Sequence, residues 1–427
     1  MTSARPKLST ALWLMVICGC LIGMLAFGFR SSFGLFVDPV SSPDAEGSFG
    51  FGREAFAIAM AIQNLAWGVG QPIAGALADR YGPWRVLAGG GVIFAAGLLL
   101  STVSSDPVSY SITAGLLVGI GMSGAGHNTV LAAFGQMMPP ERRAWAMGLG
   151  TATASLGQFL VVPVGQAFIE AYGWMAAMMI MGVGMASTPI LALALRPRKE
   201  KKPSADVPAP SPAASHGVTS TAASLREAIR QAFGHTSFWL LTAGFFVCGF
   251  QLAFVTVHLP PYLGDLGISA RTASWALAMV GLFNVIGGYM AGILSGRYSR
   301  RLLLSWIYFL RAVVTAGFLL LPISPATTLA FGALMGLLWL STVPPTVQLV
   351  GVMFGNKYLS TLFGFVFLSH QIGGFVGVLL GGYLFARTGS YDVVWWMSVL
   401  LAVAAAIVHL PIRERLFSPK LAPSAAG

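Results

Sequence analysis

The chain is a succession of long apolar runs separated by short polar breaks. The runs extend over about 11–36, 54–78, 84–104, 109–137, 144–169 and 173–195, then 237–263, 271–294, 301–321, 326–353, 358–386 and 390–411. Each approaches or exceeds the roughly 20 residues that an α-helix needs to cross about 30 Å of hydrocarbon. In lipid a segment must satisfy its own backbone donors and acceptors, so continuous runs of this length predict helices. The expected fold class is an all-α membrane protein, with twelve transmembrane helices in two six-helix halves. The halves are expected at 1–195 and 237–427, with a cytoplasmic linker at 196–236 between them.

The linker opens on Arg196, Arg198, Lys199, Lys201 and Lys202 and continues through PSADVPAPSPAAS. Proline, alanine and serine in that density cannot bury a core, so this part is expected to be disordered. It closes on SLREAIRQAF, an amphipathic stretch expected on the inner membrane surface.

Composition agrees with a membrane protein: 56% of residues are hydrophobic and 9% charged, against roughly 25% charged in soluble domains. A net charge of +11 would suit a nucleic-acid binder, but most of the basic residues sit at or between the ends of the apolar runs. With the N-terminus in the cytoplasm, 20 of the 25 Lys and Arg fall in cytoplasmic segments. Arg53, Arg271 and Arg387 fall outside, and Arg30 and Arg311 lie within spans. That asymmetry places both termini in the cytoplasm of a multi-pass inner-membrane protein. Arg5 and Lys7 ahead of the first run resemble a signal peptide, but the run is too long and lacks a cleavage site, so it is expected to be retained. Cys18, Cys20 and Cys248 all lie within apolar runs. They form no disulfide or metal-ligand pattern, and nothing in the chain asks for a cofactor.

Between the second and third runs stands GALADRYGPWRV. Here Gly75, Asp79, Arg80, Gly82 and Arg85 resemble the cytoplasmic-loop signature of the major facilitator superfamily. The resemblance implies a conformational-switch loop: Gly75 allowing close helix approach, Asp79 and Arg80 capping helix ends and bridging the halves in one state. The second-half counterpart, AGILSGRYSRR, keeps Gly292 and Arg297 but has Gly296 in the aspartate position. RSSFGLFVDPV, VHLPPYLGDLGIS and GGYLFARTGSYD are similar to segments of the bacterial monocarboxylate transporter and oxalate–formate antiporter branch. That similarity implies uptake or exchange of small carboxylates, with a small-molecule solute, protons and the lipid bilayer as the expected partners and no nucleic acid. The fifth run lacks the Gly-Pro-x-x-Gly-Gly type of signature associated with drug/proton antiporters.

Ionisable groups inside spans are site candidates by default. Arg30 aligns with Gly19, Gly23, Ala26 and Gly34, a small-residue face that points at protein or a cavity. A guanidinium there can hold a carboxylate through two parallel hydrogen bonds; the alternative is pairing with backbone carbonyls. Arg311, in a helix that the resemblance assigns to the outer scaffold, is expected to be structural. His370 aligns with Gly374, Gly377 and Gly381, beside Gln371. The resemblance implies a cationic residue in this helix, so His370 is a titratable candidate. Gln251 and His258 are seven apart on one face, and Pro260 and Pro261 are expected to break that helix near its outer end. His127 and Asn128 in the fourth run, Asn284 beside Gly281 and Gly288, and Trp339 ahead of Pro344 and Pro345 complete the substrate-binding set, Trp339 as an aromatic wall. For the amides, helix–helix hydrogen bonding is the competing reading.

All 14 Asp and Glu residues lie in loops or at helix ends, so a proton relay would fall to a histidine or to the substrate. The reading is a secondary transporter of a small organic anion by alternating access. Efflux of drugs or other hydrophobic or cationic metabolites is the alternative, and a transport-silent solute sensor a third. A remote enzyme reading, an intramembrane serine protease, rests on GMSGAG around Ser123 alone.

Overall fold

In a computed structural model the described residues are 9–43, 47–196, 222, 224–355 and 357–416. They form helices and connecting turns, with no strand among them. Ten helical stretches are long and apolar enough to span a membrane. One of these, Glu141–Leu195, changes direction at Gly173, whose φ of 79° breaks the helix into two spans. A further helix, Gly52–Tyr81, has membrane-crossing length but carries more polar residues. Together they make twelve: α1 (Thr10–Ser41), α2 (Gly52–Tyr81), α3 (Pro83–Ser101), α4 (Pro107–Met137), α5 (140–172) and α6 (174–195). After the linker come α7 (Thr236–Asp265), α8 (Ala270–Arg297), α9 (Arg300–Leu320), α10 (Pro325–Phe354), α11 (Leu359–Thr388) and α12 (Asp392–His409).

Local chemistry sets the ends. Ser269 and Ser324 accept the backbone N–H groups of Thr272 and Thr327 to start α8 and α10. Asp106 does the same for α4 through Val108 and Ser109. Between α2 and α3 the chain turns through Gly82 at φ 88°, a conformation that disfavours any residue with a Cβ, and Pro83 opens α3.

Three helices depart from the expected regularity. α4 is interrupted at Gly126, which is extended at ψ 163°. α10 is interrupted between Leu338 and Val343. α1 tightens to a 3₁₀ turn over Phe33–Phe36. The break expected at Pro260 and Pro261 is absent: α7 runs through both to Asp265. The carbonyls that these prolines leave without helical donors, Thr256 and Val257, face Gly34 of α1, where a Cβ would overlap the Thr256 oxygen. Close glycine contact covers those oxygens and lets the helix continue.

The linker residues 197–221 and 223, where disorder is expected, lie outside the described residues. Its end is the helix Leu225–Phe233, capped by Ser224.

Candidate functional site

Because the helices alternate in direction, the described chain begins and ends on one face of the molecule, here the terminal face; the other is the far face. The two halves meet along α2–α11 and α5–α8. On α2–α11, Ala57 packs on Gly382, Asn64 on Gly374 and Gly68 on Gln371. On α5–α8, Gln158 donates to the Leu277 carbonyl at 3.0 Å and Asn284 donates to Ser155 Oγ at 2.9 Å.

At the far face three ion pairs tie the halves together. Arg53 bonds Asp265 at 2.5 Å, Arg271 bonds Glu170 at 2.9 Å and Arg387 faces Glu54 at 3.7 Å. Arg53 also binds Asp38 at 2.8 Å and stacks over Phe385. Between the halves just inside this seal lies a cavity of about 390 Å³, lined by Gly34, Asp38, Gln166, Trp174, Pro260 and Gly264. Towards the terminal face the halves part. Gly75 of α2, Gly148 of α5, Gly288, Gly292 and Gly296 of α8 and Gly364 of α11 all have open space where a side chain would stand. No ion pair joins the halves on that face among the described residues.

The switch-loop residues follow from this opening. Gly75, expected at a close helix approach, makes none here: nothing stands within 4 Å of where its Cβ would be. Asp79 caps no helix and bridges no halves; it accepts from Gln136 Nε2 of α4 at 3.0 Å, within its own half. Arg80 lies over the Tyr81 ring, and Arg85 donates to the Tyr81 carbonyl at 3.3 Å.

Arg30 stands where the halves still touch. Its Nη2 donates to Asn64 Oδ1 at 3.3 Å, and its guanidinium lies over the Trp67 ring at 4.8 Å. Phe27, Met122, Gly126 and His127 line the narrow pocket beside it. Among the described residues it has no carboxylate partner. The small face of α1 does point inward: Gly19 meets Phe134, Gly23 meets His127 and Gly34 meets α7. The break at Gly126 turns His127 towards the pocket, its ring edge-on to Phe27 at 5.5 Å. Asn128, the next residue, is half-buried.

His370 is linked to Arg30 from the other half. Asn64 Nδ2 donates to the Met60 carbonyl at 2.9 Å, which orients its Oδ1 towards Arg30. Gln371 Nε2 donates to the Asn64 carbonyl at 3.4 Å, and Gln371 Oε1 accepts from His370 Nδ1 at 2.8 Å. A second route is aromatic: Trp67 is edge-on to Phe367 at 5.5 Å, and Phe367 stacks on His370 at 5.8 Å. The sequence reading did not single out Asn64, Trp67 or Phe367. Asn64, in the polar pair Gln63–Asn64 within an apolar run, was the available signal.

The remaining candidates lie elsewhere. Gln251 and His258 do not act as one face on a cavity. Gln251 donates to the Ser398 carbonyl at 3.2 Å and accepts from Arg311 at 3.4 Å. His258 Nε2 bonds the Val378 carbonyl at 2.9 Å, with Phe254 and Tyr391 against its ring. Asn284 also accepts from the Leu340 backbone N–H at 2.9 Å, capping the interruption in α10. Trp339 is buried in the core at that interruption instead of lining a wall. Arg311 is fully buried and donates to the Leu338 and Trp339 carbonyls that the interruption exposes, the internal role expected of it. Ser123 Oγ donates to the Gly119 and Trp67 carbonyls, so G-x-S-G serves helix packing here.

Comparison with known proteins agrees with this architecture. The profile described as Major Facilitator Superfamily matches residues 15–354 and 259–424. An uncharacterized MFS-type transporter, YcxA of Bacillus subtilis (strain 168), is 26% identical, covering 96% of each chain. Monocarboxylate transporter 13 of Bos taurus is 26% identical over 93% of this chain and 89% of its own. A probable sulfoacetate transporter, SauU of Cupriavidus necator, is 28% identical over 81% of this chain and 82% of its own. Among solved structures, a D-xylose–proton symporter superposes with a TM-score of 0.70 at 15% identity, covering 95% of this chain and 99% of the symporter.

Proposed function

The chain belongs to the Major Facilitator Superfamily of multi-pass membrane transporters, and we propose that it is a secondary transporter of small organic anions working by alternating access. The observation that carries this reading is Arg30, a cation at the meeting line of the halves with no carboxylate partner among the described residues. A guanidinium so placed presents a planar fork to a carboxylate or sulfonate, and its aromatic support fixes the plane. The relatives whose names specify monocarboxylate and sulfoacetate transport support the same class of solute. An acidic residue in this pocket would have favoured cationic cargo; no Asp or Glu is among the described residues that line it.

In this reading the halves 1–195 and 237–427 move as units about the Arg30–His370 level. With the terminal face taken as cytoplasmic from the charge asymmetry, the conformation is open inward and sealed outward. An anion on Arg30 neutralises the cavity charge, and that difference in interaction shifts the balance between the two closures. His370 is tied to Arg30 through Gln371 and Asn64, and His127 lines the Arg30 pocket.

The test is uptake of labelled lactate, pyruvate, formate, oxalate, aromatic acids and sulfoacetate into proteoliposomes, wild type against Arg30→Gln. Uptake of at least one acid that falls by roughly 10- to 100-fold in the variant is expected from loss of a charged hydrogen-bond pair. Absence of uptake of every acid by well-folded wild type overturns the reading in favour of efflux of neutral or cationic compounds.

A further inference from the structure

The helix Leu225–Phe233 lies at the terminal-face edge of the second half, apart from the solute path. Ala228 and Ala232 are buried on its inner side. Phe233 meets Trp239 of α7 edge-on at 5.1 Å and Phe365 of α11 at 5.2 Å. Arg226 and Arg230, four apart and so on one face, point away from the protein; the Arg230 side chain is 79% exposed. The backbone N–H of Arg413 donates to Ser237 Oγ at 3.1 Å, which brings the segment after α12 to the same corner with exposed Arg413 and Arg415.

Charge is unbalanced there. Glu227 pairs with Arg230 at 3.0 Å, while Glu414 is turned away onto Ser299 and Arg300. Four arginines therefore stand against one available carboxylate among the described residues of this corner. Just beside them the apolar side chains of Leu225, Phe233 and Trp239 are exposed, and Trp239 Nε1 is held by the Phe233 carbonyl at 2.8 Å. Cationic heads next to apolar rings, at the end of two membrane spans, match a headgroup layer with acyl chains beneath it.

We propose that this corner docks on anionic phospholipid headgroups of the adjacent leaflet, with Arg226, Arg230, Arg413 and Arg415 as the contacts. Through Phe233 and Phe365 the docked helix braces α11 next to Gly364, which stands against open space, five residues before His370. Leaflet charge thereby bears on the same helix that carries the second half of the solute site.

The experiment is thermal unfolding of the full chain in nanodiscs of phosphatidylcholine alone or with about one-third phosphatidylglycerol. Wild type is expected to gain several degrees with the anionic lipid. Arg226→Gln/Arg230→Gln, both on an exposed face, is expected to lose at least half of that gain, whereas Arg297→Gln at the end of α8 keeps it. Millimolar inorganic phosphate with neutral lipid is expected to give no gain. An unresponsive wild type, an equal gain in the double variant, or a gain with free phosphate alone each overturns the proposal.

Discussion

Arg30 and His370 stand on opposite halves of the molecule and are joined by two parallel chains of contact. One is polar and runs through Asn64 and Gln371; the other is aromatic and runs through Trp67 and Phe367. A change at either end is therefore felt by a helix of the other half. Groups linked through shared partners show coupling energies of roughly 0.5–3 kcal/mol. A double-mutant cycle of Arg30→Gln and His370→Gln on initial uptake should give a coupling in that range. Adding Asn64→Ala and Phe367→Ala should bring it near zero; coupling that persists without both links would show that the chains do not carry it.

His370 should also govern the response to proton gradients, because among the described residues no carboxylate hydrogen-bonds His370 or Arg30 and none lines the Arg30 pocket. Uptake by wild type is expected to rise when an inward proton gradient is imposed, and His370→Gln should abolish that rise while leaving solute exchange at symmetric pH. Stimulation that survives in the variant would assign the proton to another group.

The contact of Gly34 with the carbonyls of Thr256 and Val257 allows no Cβ, so Gly34→Ala should oppose closure of the far face. Arg53→Gln, which releases Asp38 and Asp265, should act in the same direction. An Ala270→Cys reporter beside the far-face cavity is expected to label several-fold faster with an impermeant maleimide in either background, and a Gly148→Cys reporter on the open face more slowly. Unchanged labelling at both positions would count against these contacts setting the state.

Arg311 and Arg30 should separate stability from transport. Arg311→Leu leaves the Leu338 and Trp339 carbonyls without their donor, and each buried unsatisfied group costs about 1–3 kcal/mol. Its unfolding temperature should fall clearly, whereas Arg30→Gln, a half-buried position with a single side-chain hydrogen bond, should melt near wild type.

Glu414 ties the segment after α12 to the start of α9. Burial alone would raise its pKa, but hydrogen bonds from Ser299 Oγ and the Arg301 backbone N–H, with the charge of Arg300, outweigh it and hold the carboxyl below its ordinary value of 4.5. With the folded pKa below the unfolded one, the stabilisation is present above pH 4.5 and is lost as pH falls through the lowered value. Glu414→Gln should lower the melting temperature at neutral pH and flatten its decline on acidification; equal declines in both proteins would remove Glu414 as a cause.

Span number, helix type and the two-half plan were legible in the sequence, because lipid demands long apolar helices and leaves charge to the breaks. Arg30 and His370 stood out as candidates for the same reason, as costly groups in apolar runs. Asn64, Trp67 and Phe367 were not singled out, since an amide or a ring in a span looks the same whether it packs or transmits. Gln251 and Arg311 are 60 residues apart, and no spacing says that one occupies the other. Pro260 and Pro261 looked like a break because only the arrival of Gly34, from the opposite half, covers the carbonyls they strand. The sequence by itself determined which segments cross the membrane, through local hydropathy; the tertiary structure alone decided which polar groups are paired and which face is closed, because those depend on contacts between segments hundreds of residues apart.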